Sequence, residues 1–205
     1  MQISVNTKPI RIALIGSRKL EEISAYKPFV DMYFEYCYQL AKAGVVMTSG
    51  LCKKGPDGLA QKAYAKAIDK GLADVSQLEV YVYNQSEIIK SPLPYKSYAI
   101  VMPDHLRNKR IELLRTVMTP SHIEACGSYA LGMHQRNVHQ ILGLELNNPV
   151  DAVFTWCMLD KEGKPMGGTA TSYNLAVLRG IPVINLFNME PDYVTSQLNL
   201  LLSES

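Results

Sequence analysis

The sequence lacks the segments that mark secreted, membrane-spanning and zinc-finger proteins. No run approaches the roughly 18 apolar residues of a membrane helix, and residues 1–5 do not begin a signal peptide. Cys37, Cys52, Cys126 and Cys157 form no C-x-x-C pair, and no Cys/His spacing is that of a zinc finger. We therefore expect a cytoplasmic protein with reduced thiols, no membrane association, no metal site and no cofactor.

Strong charge is also missing. The formal net charge of +2 is too small to argue for duplex DNA binding. With 47% hydrophobic and 20% charged residues, the chain can bury an ordinary core. Its 205 residues suit one domain over residues 1–205, and we expect a homo-oligomer.

Apolar, β-branched segments alternate with segments of helical spacing. Strands are predicted at residues 10–15, 45–48, 78–83, 150–157 and 181–185, and helices at 27–43, 59–69, 106–118, 123–144, 169–179 and 191–202. This alternation predicts an α/β, Rossmann-like three-layer fold with a mainly parallel sheet.

Two segments depart from this rhythm. Residues 84–104 contain Pro92, Pro94 and Pro103, and they are predicted to form either a lid or insertion, or an irregular surface connection. Ser121 and Glu124 have the spacing of a capping box, which makes Glu124 a helix cap rather than a catalytic acid.

Three glycine-bearing loops follow strands or open helices. Glycine lets the backbone approach a ligand closely, and a helix N-terminus offers free N–H groups to phosphate. Ligands of parallel sheets bind beyond the carboxyl ends of the strands, so these loops are the candidate site. Neither G-x-G-x-x-G nor a Walker motif is present. The loops contain Gly16, Ser17 and Arg18; Ser49, Gly50, Gly55 and Asp57; and Gly167, Gly168 and Thr169.

The segments IALIGSRK, VVMTSGLCKKGPDGLAQKAYAKAI and GGTATSYNLAVLRGIPVINL resemble the SLOG superfamily. That group includes the Rossmann domain of DNA-processing protein A (Smf) and the LOG nucleotide hydrolases. The chain is most similar to small bacteriophage proteins of the DNA-processing type, which carry an Arg-Asn helix motif, here Arg136 and Asn137. If the chain is phage-encoded, its compartment is the host cytoplasm.

The resemblance implies roles for the loop residues. Gly16, Ser17 and Arg18 would form one phosphate loop, and Ser49 and Gly50 a second. Gly55 and Asp57 match a G-x-D turn in which Asp57 could accept hydrogen bonds from a ribose. Arg136 and Asn137 would face the same cleft, and Gly167, Gly168 and Thr169 would hold phosphate at the last crossover helix.

The chain departs from the LOG motif, because no glutamate follows Thr169 within its next four residues. Hydrolysis would need another carboxylate, for which Asp57 and Glu145 are the candidates. His134 and His139 are interpreted as surface or packing residues, and Trp156 as either a base-stacking or a core residue.

Three functions remain open. The first is binding, and with it sequestration, of a nucleotide or nucleotide-derived ligand, such as an ADP-ribose relative or a cyclic nucleotide signal. The second is a single-stranded-DNA-binding recombination accessory of the DNA-processing protein A type, for which the candidate basic residues are Lys53, Lys54, Arg107, Lys109, Arg110 and Arg115. The third is N-glycosidic hydrolysis of a nucleoside phosphate.

Overall fold

The computed structural model describes residues 8–22 and 27–203. Residues 1–5, to which the prediction about a signal peptide applies, lie outside that part. Strands are β1 (Arg11–Gly16), β2 (Val46–Gly50), β3 (Leu78–Val82), β4 (Ile100–Val101), β5 (Ala152–Trp156) and β6 (Val183–Asn185). Helices are α1 (Lys19–Glu22), α2 (Lys27–Lys42), α3 (Gly55–Asp69), α4 (Gln85–Lys90), α5 (Arg107–Arg115), α6 (Pro120–Ala125), α7 (Ser128–Leu142), α8 (Ala170–Leu178) and α9 (Pro191–Ser203).

The strands form one six-stranded parallel sheet in the order β4-β3-β2-β1-β5-β6. The chain runs outward from β1 to β4 and then returns to the other side of β1. The predicted α/β, Rossmann-like class with a mainly parallel sheet is confirmed, and β1 with β5 marks the point where the strand order reverses.

Both faces of the sheet are covered, which explains the uninterrupted apolar strands. Along β1, Ile12 and Leu14 pack into the core on one face, whereas Ala13 and Ile15 pack into the core on the other. Side chains of α2, α3 and α9 fill the first core, and those of α5, α7 and α8 fill the second. The period of two along β1 therefore places helices on both sides of the sheet. No helix in the described part of the chain has the length and apolar character needed to cross a membrane.

Residues 84–104 form regular structure for much of their length. Asn84 caps α4, since its side-chain oxygen accepts a hydrogen bond from the Ser86 N–H. A short 3-10 helix at Lys96–Tyr98 then leads into β4, which extends the sheet at its edge.

The helix predicted over residues 123–144 is two helices. Gly127 has an extended conformation (φ −61°, ψ 161°) and separates α6 from α7. The predicted capping box at Ser121 is also wrong, because Thr119 is the N-cap of α6 and accepts a hydrogen bond from the His122 N–H. Pro120 then occupies the first helical position, where its missing N–H costs nothing.

Gly16 ends β1 where there is no room for a side chain. A Cβ at this position would lie 2.4 Å from Pro56 Cγ and 2.6 Å from the Trp156 carbonyl oxygen. We expect Gly16→Ala to lower the free energy of unfolding by about 1–3 kcal/mol, the usual cost of overpacking. Urea denaturation of the purified variant measures this.

Gly127→Ala is the matched control, since a Cβ there meets no atom within 4 Å and φ is negative. Because Gly127 is the N-cap of α7, where alanine is a poorer cap, its stability should fall by no more than about 1 kcal/mol, less than that of Gly16→Ala. Equal midpoints for Gly16→Ala and the parent would contradict the tight packing at the end of β1.

Candidate functional site

A cleft of about 720 Å³ opens at the carboxyl ends of β1 and β2, beside the point where the strand order reverses. Most of the predicted site residues line it. These are Gly16, Ser17, Arg18, Asp57, Arg136, Asn137, Gly167, Gly168 and Thr169. The parallel topology therefore brings together loops that are about 150 residues apart in the chain.

Ser49, Gly50 and Gly55 do not line the cleft. The Ser49 hydroxyl is buried and donates to the Leu14 carbonyl oxygen at 2.7 Å, so it joins β2 to β1. Gly50 lies beneath Arg136, and Gly55 adopts φ +72° against the Ser17 and Arg18 backbone. These three residues lie beneath the lining of the cleft. The residues after β2 that line it are Leu51, Cys52 and Lys53.

The first loop turns away from β1 over Gly16 and Ser17. The Ser17 N–H donates to the Trp156 carbonyl oxygen at 2.9 Å, which continues the pairing between β1 and β5 for one more residue. The Ser17 hydroxyl accepts from the Lys19 N–H, and the exposed side chain of Arg18 lies at the cleft rim. Trp156 is fully buried in the core, so it does not stack on a ligand.

Asp57 crosslinks the strand ends from the first turn of α3. Its carboxylate accepts hydrogen bonds from the Gly16 N–H at 3.2 Å and the Gly50 N–H at 3.0 Å, and Gln140 Nε2 lies 3.3 Å away. Only 4% of Asp57 is exposed. The carboxylate is therefore already engaged with the protein, and it positions the loops above it.

Burial raises the pKa of Asp57, whereas the Arg136 guanidinium and the Gly50 and Gly16 N–H groups oppose that rise. Desolvation of the charged form outweighs these favourable interactions. The ionised carboxylate is thus held in the fold at some cost.

Arg136 and Asn137 extend from α7 into the cleft. Arg136 Nη2 donates to Asn137 Oδ1 at 2.9 Å, and Asn137 Nδ2 donates to the Gly168 carbonyl oxygen at 3.0 Å. Arg136 Nε is buried and has no hydrogen-bond partner among the described residues. Nor does any described carboxylate lie within ion-pairing distance of this guanidinium.

The Gly167–168 turn precedes α8 and faces open space. Gly167 has φ +72°, a conformation that favours glycine, and a Cβ built at Gly168 meets no atom within 4 Å. Thr169 flanks the first turn of α8, and its side chain does not cap the helix. The start of α8 borders the cleft through Thr169 and Ser172, and the Ala170 N–H donates to the Gly167 carbonyl oxygen at 3.2 Å.

Sequence reasoning did not identify Glu87, which lies in the cleft on α4. Burial raises the pKa of Glu87, and its Oε1 atom is buried without a partner in the part of the chain that the structure describes. Asn84, three residues before Glu87, is of a type that commonly caps helices and so could have indicated the start of α4. It did not indicate that this helix would line the cleft. Glu145 lies elsewhere, because it pairs with His105 at 3.7 Å and does not line the cleft.

The lining has more basic than acidic side chains. Arg18, Lys19, Lys53, Lys90 and Arg136 are basic, and Glu22, Asp57 and Glu87 are acidic. Five basic side chains against three acidic ones give the lining a net positive formal charge.

Three side chains of metal-ligating type meet outside the cleft, although their spacing in the sequence did not predict a metal site. His122, Cys126 and His134 bring one ligand atom each to within 4.8 Å of the others. His139 is fully buried and its Nδ1 lies 3.0 Å from the Gly143 carbonyl oxygen, so it is a packing residue. Burial lowers the pKa of His139 to about 4.

Comparisons with protein-family models, with curated proteins and with solved structures each found no match.

The raised pKa of Asp57 predicts a pH dependence of stability. A folded-state pKa above the unfolded value means that the folded protein binds the proton more tightly, so the Asp57 contribution rises as pH falls through the folded pKa toward the ordinary aspartate value. Asp57→Asn removes this titration. The stability of the parent minus that of the variant should therefore increase toward acid, as measured by urea denaturation across that range.

The subtraction cancels the titration of other carboxyl groups, which both proteins share. A stability difference that stays flat, or that shrinks toward acid, would show that the pKa of Asp57 is not raised.

Proposed function

We propose that this protein binds a nucleotide or nucleotide-derived ligand in the cleft, as a Rossmann-like protein of the SLOG type. The observation that carries the proposal is Arg136. It is a partly buried cation that lines the cleft. Its Nη2 donates to Asn137, its Nε is buried without a partner, and it forms no ion pair among the described residues. Removing a charged group from water is unfavourable unless it is paired, and an anionic ligand would supply that pairing.

The Gly167–168 turn supports phosphate as the anion. Backbone N–H groups at the start of α8 provide donors, and the helix dipole adds a partial positive charge. Asn137 holds this turn through the Gly168 carbonyl oxygen. The glycines leave the space beside these donors open for phosphate oxygens.

The volume and the mixed lining support a whole nucleotide rather than an isolated phosphate. About 720 Å³ lies within the range of small-molecule sites. Leu51, Met133 and Tyr129 give the polar cleft apolar surfaces on which a base could lie. We include an ADP-ribose relative and a cyclic nucleotide signal among the ligands.

The absence of a glutamate shortly after Thr169 supports binding, and hence sequestration of a signal, over turnover. The free cysteines among the described residues suit a reducing cytoplasm, or the host cytoplasm for a bacteriophage protein. A homo-oligomeric state remains part of the proposal.

The alternative of single-stranded DNA binding has less support. Arg110, one of the candidate basic residues, is 97% removed from solvent and donates to Gln135 Oε1 and to the Pro103 carbonyl oxygen. A buried side chain with these hydrogen bonds cannot contribute to the basic groove along which single-stranded DNA binds.

N-glycosidic hydrolysis is a second candidate, which Glu87 favours. A cleft carboxyl group whose pKa is raised by burial can remain protonated at higher pH and donate a proton to a leaving base. Glu87 lines the cleft, although its Oε1 atom is buried and has no hydrogen-bond partner among the described residues.

Binding is tested by calorimetric titration with AMP, ADP, ADP-ribose, 3′,5′-cyclic AMP and inorganic phosphate. Gly168→Asp should abolish binding of the nucleotide that the parent binds, because a carboxylate would occupy the phosphate position and repel it. Arg136→Ala should weaken binding by about 1.5–3 kcal/mol, the scale of a charged hydrogen bond, and so should Arg18→Ala.

Two variants are matched controls. Gly168→Ala adds a methyl group into open space and should cost less affinity than Gly168→Asp. Arg179→Ala removes an exposed arginine at the opposite end of α8 and should leave affinity unchanged. A folded Gly168→Asp protein that binds as tightly as the parent would overturn the phosphate site. Sub-micromolar binding of single-stranded DNA with a steep salt slope would favour the alternative.

Hydrolysis is tested by incubating the protein with nucleoside 5′-monophosphates and separating free base from ribose 5-phosphate. If the protein is a hydrolase, Glu87→Gln should lower the rate by about 10²–10⁴-fold, as expected for loss of a general acid. Glu145→Gln, outside the cleft, should keep the parental rate. Intact nucleotide after prolonged incubation with the parent would exclude this activity for those substrates.

A further inference from the structure

Three metal-ligating side chains meet where α6 joins α7. The candidate ligand atoms are one ring nitrogen each of His122 and His134 and the Sγ of Cys126, and they lie within 4.8 Å of one another. Ligand atoms around a tetrahedral Zn²⁺ are about 3.3–3.6 Å apart, given Zn–N and Zn–S bonds of about 2.0–2.3 Å. A closure of about 1 Å would complete the geometry, and His122 is exposed and can rotate to provide it.

Local structure explains why the three residues meet. His122 and Cys126 are four residues apart at the end of α6, so they project from one side of that short helix. The extended backbone at Gly127 then turns the chain into α7, which places His134 against this side. The His122 and His134 rings are 5.9 Å apart at 76°.

A hydroxyl group orients the His134 ring. His134 Nδ1 lies 2.7 Å from Thr171 Oγ1, and that hydroxyl is placed to donate to Met118 Sδ at 3.8 Å. If the single hydroxyl hydrogen points to sulfur, the oxygen accepts from Nδ1–H, and Nε2 keeps its lone pair. Histidines that bind metals generally donate their other ring N–H to such a partner.

The α6 helix packs on the second core through side chains that are only partly buried, such as Ile123. None of its residues is buried, and it is less than two turns long. A crosslink from α6 to α7 would anchor it, and through Thr171 it would also reach the first turn of α8.

We propose that His122, Cys126 and His134 bind a divalent transition metal ion of the zinc type. Two imidazoles and a thiolate form a donor set that suits Zn²⁺ and disfavours Mg²⁺ and Ca²⁺. Because three protein ligands meet here among the described residues, a tetrahedral ion keeps one position for water or an external ligand.

Chelator-treated protein is titrated with Co²⁺ under reducing conditions, and its absorption spectrum is recorded. The parent should bind one ion per chain with visible bands of a tetrahedral site and a near-ultraviolet thiolate-to-cobalt charge-transfer band. Cys126→Ser should lose the charge-transfer band. Zn²⁺ should displace Co²⁺ and raise the unfolding temperature of the parent, whereas Mg²⁺ should do neither.

Calorimetric titration with Zn²⁺ separates the ligands from their support. His122→Ala changes an exposed side chain, so it should fold and yet lose the high-affinity site. Thr171→Val removes the orienting hydroxyl and should weaken Zn²⁺ binding about 10–100-fold. His105→Ala, an exposed histidine paired with Glu145, should bind Zn²⁺ like the parent.

A parent spectrum without a thiolate band, or unchanged Zn²⁺ affinity in Cys126→Ser and His122→Ala, would overturn the metal site. Neither result would bear on nucleotide binding, because these ligands do not line the cleft.

Discussion

The carboxylate of Asp57 holds together the strand ends on which the cleft is built. It accepts N–H groups from Gly16 at the end of β1 and from Gly50 at the end of β2, while its own backbone lies in the first turn of α3. A backbone N–H that is buried without an acceptor destabilises the folded state. The Asp57 carboxylate prevents this at two positions, because it accepts both N–H groups. The loops that continue from both strands therefore leave the sheet from fixed positions.

The other organising element is α7, which presents one face to the cleft. Met133, Arg136, Asn137 and Gln140 line it, and their spacing of three, four and seven residues is that of one helical stripe. At one end of this stripe Gln140 approaches Asp57, and in its middle Asn137 holds the Gly168 carbonyl oxygen. The base of the cleft and its anion-binding turn are thus positioned by the same rigid helix.

The proposed metal site and its supporting hydroxyl adjoin α7 and α8, which also line the cleft. His134 is adjacent to Met133 of the cleft wall on α7, and its partner Thr171 is adjacent to Ser172 of the cleft on α8. An ion bound to His134 would restrain Thr171 through their hydrogen bond.

The fold class followed from local patterns in the sequence. A buried parallel strand needs an apolar run such as β1, and an amphipathic helix such as α2 needs a repeat of 3.6 residues, so both are visible without tertiary information. The glycine turn before α8 was visible from its composition, whereas Gly55 and Asp57, expected in a loop, lie in the first turn of α3. Two finer local predictions were wrong: Thr119 rather than Ser121 caps α6, and Gly127 divides the helix predicted over residues 123–144.

Tertiary structure decided which of those residues face a ligand. Ser49 and Gly50 directly follow the strand predicted at residues 45–48, where a ligand-binding loop was expected. The Ser49 hydroxyl instead donates to the Leu14 carbonyl oxygen of β1, and Gly50 is covered by Arg136. Glu87 reaches the cleft only because α4 packs beside it, and His134 meets His122 and Cys126 only because α7 folds back on α6. The sequence by itself determined the periodicities, and hence the strands, helices and turns. Long-range packing decided which side chains become neighbours. Residues that meet in the fold can lie far apart in the chain, and no local sequence pattern marks them as a pair.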